Sequence, residues 1–166
     1  MNLIIPIIFV TTALIQFGIF INLISLIKIY PHEKTLKYWA GSLITSASGI
    51  ILIAVGSAMM ESLARGTLFL TFANGIYFTS TILLLFYCRS LSQPITKKYG
   101  LLSLCIILLY TILFEIVRHK NSFIDRQIFA ASGQFFIYVA QLFELYKYKN
   151  KEKRSEEHTS ELQSPM

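Results

Sequence analysis

Among the side-chain amides inside the long apolar runs of this 166-residue chain, four stand out: Gln16, Asn22, Asn74 and Gln134. An amide surrounded by hydrocarbon must find a hydrogen-bond partner on a neighbouring helix or on a ligand, because leaving it unpaired is costly. Interhelical bonds of this kind average only about 0.6 kcal/mol, so the four amides can act as packing contacts with no ligand present. Asn74, next to Gly75 and near the middle of its apolar run, is the best single candidate for a functional polar group.

Two carboxylates have a cation three positions on: Glu115 with Arg118, and Glu144 with Lys147. That spacing puts both charges on one helix face, and each reads as a solvated ion pair at a helix end. His32 and His119 fall in connections on opposite sides and cannot share a metal. Cys88 and Cys105 are at neither metal-ligand nor redox spacing and read as small apolar fillers. No phosphate-binding glycine loop, His-Glu-x-x-His, nucleophile elbow or glycosidase-like carboxylate pair is present. No enzymatic activity, cofactor or metal is therefore expected of these residues.

The elements that must carry these groups follow from composition. Apolar residues make up 54% of the chain and charged residues 14%, too few to coat a soluble core of this size. Charged clusters divide the chain into five apolar stretches, which predict helices at about 3–27, 38–60, 66–88, 100–117 and 127–145. At about 1.5 Å per residue each approaches or crosses a hydrocarbon layer of roughly 30 Å. The expectation is an all-α, polytopic transmembrane bundle forming one domain over residues 1–153. Residues 1–27 carry no charged side chain, so the first run reads as a retained helix and not as a cleaved leader.

Basic residues set the orientation. Ten lie in the connections of one side (Lys28, Lys34, Lys37, Arg89, Lys97, Lys98, Lys147, Lys149, Lys151 and Lys153) and four on the other (Arg65, Arg118, Lys120 and Arg126). The N-terminus is expected outside and the C-terminal end in the cytoplasm, as in a multi-pass protein of a bacterial inner membrane. The net charge of +6 is thus assigned to topology and to membrane lipids, with no nucleic-acid partner.

The second stretch opens with Tyr38 and Trp39, suited to a membrane interface, and continues with Gly41, Thr45 and Gly49 at four-residue spacing. Ser42, Ser46, Ala47 and Ser48 lie beside them. Small residues at this spacing let another backbone approach closely, either within the bundle or across a homodimer seam.

These residues carry a resemblance. Tyr38-Trp39-x-Gly41, Gly49 farther along the same helix, and Ala73-Asn74-Gly75 in the next resemble the multi-helix membrane sensor region at the N-terminus of bacterial GGDEF diguanylate cyclases and some histidine kinases. Arg126 looks like an arginine of the same pattern. The resemblance implies an input module for a cytoplasmic output domain, although the chain itself has no GGDEF motif or kinase box. Alternatives are one half of a ten-helix inverted-repeat transporter, or a membrane scaffold without activity. Residues 154–166 differ in character, being polar and acidic, and Arg154 to Ser164 resembles the in-frame translation of a sequencing adapter. They are expected to be a disordered, non-native tail, with the native frame interrupted near Lys153.

Overall fold

The computed structural model describes residues 4–59, 66–120 and 123–162, and the regular structure among them is helical throughout. Five helices follow one another: α1 (Ile4–Ile29), α2 (Lys34–Met59), α3 (Gly66–Ser92), α4 (Lys97–Lys120) and α5 (Phe123–Leu162). Each contains a stretch long and apolar enough to cross a membrane, from Ile7–Ile29 in α1 to Ile124–Lys153 in α5.

The helices outrun the apolar stretches that predict them. Helix α4 begins at Lys97 and not near Gly100, because the Thr96 hydroxyl accepts the Tyr99 N–H at 3.3 Å and caps the first turn. Pro94 separates it from α3, which continues to Ser92. Helix α2 starts at Lys34, after a turn in which the Glu33 N–H bonds the Tyr30 carbonyl at 3.2 Å. Helix α5 is 40 residues long and stays helical through 154–162, where the sequence analysis expects disorder. Between Gly133 and Pro165 there is neither glycine nor proline, and the Lys- and Glu-rich stretch favours helix, so nothing local stops it. Residues 163–166 of that tail lie outside the described residues.

Helix α3 is the hub, packing against α2, α4 and α5, while among the described residues α1 packs only on α2. About 44% of the apolar spans of α2 and α3 is buried, against 11% for α1 and 17% for α4 and α5. One core cluster joins Ala13, Ala47 and Ile50 under Phe9 and Tyr77. A second surrounds Phe78, Ile82 and Tyr110, with the Phe78 and Tyr110 rings stacked 3.8 Å apart. Outside these seams the surface is apolar: Leu14, Phe72, Leu101 and Phe136 are each more than 60% exposed. Water would tolerate that surface poorly, whereas lipid would not.

Close backbone approach explains the α2–α3 seam. A Cβ added to Gly49 would stand 2.9 Å from the backbone nitrogen of Tyr77, so only a hydrogen fits there. One at Gly41 would meet Leu83 at 3.4 Å, and one at Gly56 would meet the Leu70 side chain at 3.0 Å. The buried Ser42 hydroxyl donates to the Ser80 carbonyl at 2.9 Å across the same seam. The small face of α2 is therefore turned toward α3 of the same chain.

Candidate functional site

The alternation of five helices brings the end of α1, the start of α2, the end of α3, the start of α4 and the C-terminal half of α5 to one end of the bundle. This is the basic end, and the most developed polar cluster lies there. Arg89, near the end of α3, donates through Nη1 to Oε1 of Glu144 on α5 at 2.8 Å. The Glu144 side chain is 7% exposed and that of Arg89 21%. Lys147 Nζ lies 3.6 Å from the same carboxylate oxygen. The Arg89 guanidinium carbon sits 4.2 Å from the centre of the Tyr99 ring on α4, a cation–π distance. Arg89 thus links three helices.

Nearer the middle of the bundle, the buried Gln141 amide donates to the Thr81 carbonyl at 2.9 Å, adding a second polar tie between α3 and α5. A carboxylate this deep is tolerated only with a matching cation, since an unpaired buried charge costs several kcal/mol. Arg89 Nε and Glu144 Oε2 are buried and have no hydrogen-bond partner among the described residues.

An aromatic layer surrounds the pair. Trp39 is half-buried with its ring 5.7 Å from that of Tyr87, Tyr38 meets Phe86 edge-on at 5.6 Å, and Phe86 meets Tyr99 at 5.6 Å. Beside them a groove of about 450 Å³ opens between the α1–α2 and α3–α4 connections, with His32, Glu33, Tyr38, Ser92 and Gln93 in its lining.

The second cluster closes the opposite end. Glu115 on α4 accepts Arg118 Nε at 2.9 Å and Nη2 at 2.5 Å, a two-pronged pair. The Thr71 hydroxyl of α3 donates to the same carboxylate, and His119 Nε2 lies 3.1 Å away. From its i, i+3 spacing this pair reads as solvated. In the structure the Arg118 side chain is only 6% exposed, because Thr71 draws the pair against α3.

The four amides do not converge. Asn74 is half-buried and donates to the Leu70 carbonyl of its own helix at 2.8 Å; exposed Asn22 does the same toward Gly18 at 3.0 Å. Gln16 is half-buried on α1 with its Oε1 unpartnered, and Gln134 is half-buried on α5. Among the described residues the backbone of α1 lies beside α2 and not beside α4 or α5, so Gln16 and Asn22 stand apart from Gln134. Thr45 bonds the Gly41 carbonyl at 2.7 Å, keeping its hydroxyl within α2.

Sequence reasoning missed the Arg89–Glu144 pair by giving Glu144 only its neighbour Lys147. A signal was available: helices three and five run in the same direction, so a cation closing one and a carboxylate closing the other share a depth. No family model, curated protein or solved structure matches the chain.

Proposed function

We propose that this chain is the membrane-embedded input module of a bacterial signalling protein. It lies in the inner membrane, N-terminus outside and basic end in the cytoplasm, and leaves catalysis to an output domain such as a diguanylate cyclase or a histidine kinase. One observation carries the reading: the hub helix α3 holds α5 through Arg89 and Glu144 at the end from which α5 runs on as a continuous helix. A rearrangement among the spans that moves α3 is then passed to α5 as a rigid displacement, since an unbroken helix has no hinge at which to absorb it.

Two further features support it. Ten basic residues against four favour a cytoplasmic basic end. The residues Tyr38, Trp39, Gly41, Gly49 and Asn74 resemble the sensor regions described above. On this reading Arg154 to Ser164 is foreign sequence, and the helical backbone of residues 154–162 reflects permissive composition and not a native contact.

Orientation is the first requirement and is tested by reporter fusions. A reporter active only in the periplasm should report after Lys120 and stay silent after Lys153, with a cytoplasmic fluorescent reporter giving the reverse. The opposite pattern would place the output side outside the cell and exclude the signalling reading.

A further inference from the structure

A cavity of about 340 Å³ opens along the basic end of α5, lined by Phe143, Tyr146, Lys147, Asn150 and Lys151. Counted from Phe143, these residues stand three, four, seven and eight positions on, which is one helix face. The face is graded along its length. Phe143 and Tyr146 are 58% and 63% exposed, and Leu142 beside them is 67% exposed. The next turns carry two ammonium groups and an amide. Lys147 Nζ lies 4.4 Å from the centre of the Phe143 ring, and Lys151 Nζ reaches the Ser92 carbonyl at the end of α3 at 3.3 Å.

Charge around the cavity is unbalanced. The lining brings together the ammonium groups of Lys147 and Lys151 and holds no carboxylate, while the neighbouring Glu144 is buried and already engaged by Arg89. Depth matters as well. The apolar run of α5 ends at Leu145, so at about 1.5 Å per residue Lys147 and Lys151 stand within ~10 Å beyond it, in the headgroup layer of a bilayer.

We propose that this cavity binds the phosphate of an anionic phospholipid headgroup. Lys147 and Lys151 supply the charge, Asn150 donates from its amide, and Phe143 with Tyr146 receives the glycerol backbone and upper acyl chain. The inference rests on the membrane reading and adds a defined lipid contact to it. Because Lys147 also approaches Glu144, a bound phosphate draws on a cation of the cluster that joins α3 to α5.

The test uses the full chain purified in neutral detergent and titrated with short-chain phosphatidylglycerol, phosphatidylcholine and inorganic phosphate. Phosphatidylglycerol should bind at least about tenfold tighter than either of the others. The Lys147→Gln/Lys151→Gln double variant should lose most of that preference. Lys149→Gln/Lys153→Gln removes the same charge from the opposite face and should stay within about twofold of the parent. Equal losses in the two double variants, no lipid preference in the parent, or inorganic phosphate binding as tightly would each overturn the site. Flotation with liposomes separates the two levels: a chain that fails to insert removes the membrane reading itself, whereas an inserted chain without the preference removes this site alone.

Discussion

Arg89 on α3 and Glu144 on α5 are 55 positions apart in the chain and meet at 2.8 Å, with the carboxylate almost wholly buried. The pair is a charged tie between the hub helix and the last one. Replacing Glu144 with leucine leaves the guanidinium facing Tyr99 without its carboxylate, and replacing Arg89 with leucine leaves a buried carboxylate with the more distant Lys147. Each single variant should lose on the order of 3 kcal/mol of stability in detergent. The Arg89→Leu/Glu144→Leu double variant should recover much of it, since an apolar pair has no charge to desolvate. Additive losses in that double-mutant cycle would show that the two groups do not act as a pair.

Gly49→Leu should be among the most damaging substitutions in α2, because its Cβ would fall 2.9 Å from the Tyr77 backbone, which cannot move aside like a flexible side chain. A cost of about 1–3 kcal/mol or more is expected from overpacking. Gly18→Leu is the matched control, since a Cβ there meets nothing within 4 Å. Thermal unfolding in detergent should separate the two variants clearly; similar melting temperatures would contradict the packing of α2 on α3.

At the opposite end, Thr71→Val removes the hydroxyl that ties α3 to the Glu115–Arg118 pair while keeping its shape. A hydrogen bond to a charged group contributes about 1.5–3 kcal/mol, and the loss should fall in that range. In a Glu115→Gln background the same change should cost less than half as much. An undiminished cost there would mean that Thr71 acts through packing and not through the carboxylate.

Among the described residues Asn74 bonds to its own helix, so Asn74→Leu should change stability by less than about 1 kcal/mol. Joined to a native output domain, the variant should nevertheless shift output activity, because it removes an amide from the hub helix at nearly constant size. Unchanged output with unchanged stability would return Asn74 to a purely local role.

Much of the architecture was legible because lipid imposes a simple pattern. Five apolar runs between charged clusters mark five helices, and Gly41, Thr45 and Gly49 mark one face of the second. Helix ends were less legible. Thr96 caps α4, which starts three residues before Gly100, and α5 continues past Leu145 because charge ends an apolar run without ending a helix. Partner choice was least legible. That Gly133 lies under the Tyr110 ring, or that Thr71 reaches Glu115, depends on which helices neighbour each other, and the spacing along any one helix does not contain this. The same reason hid Arg89 from Glu144, whose local partner Lys147 was visible at once.

The most direct test of the signalling reading is a genomic read of the native gene through and beyond the codon for Lys153. The account expects a frame that departs from Arg154 to Ser164 and continues into a cytoplasmic output domain. A gene that encodes Arg154 to Ser164 in place would contradict the reading of the tail as foreign. A frame that stops shortly after Lys153, or that runs into a second set of five membrane spans, would contradict the input-module account and leave the scaffold or the transporter half.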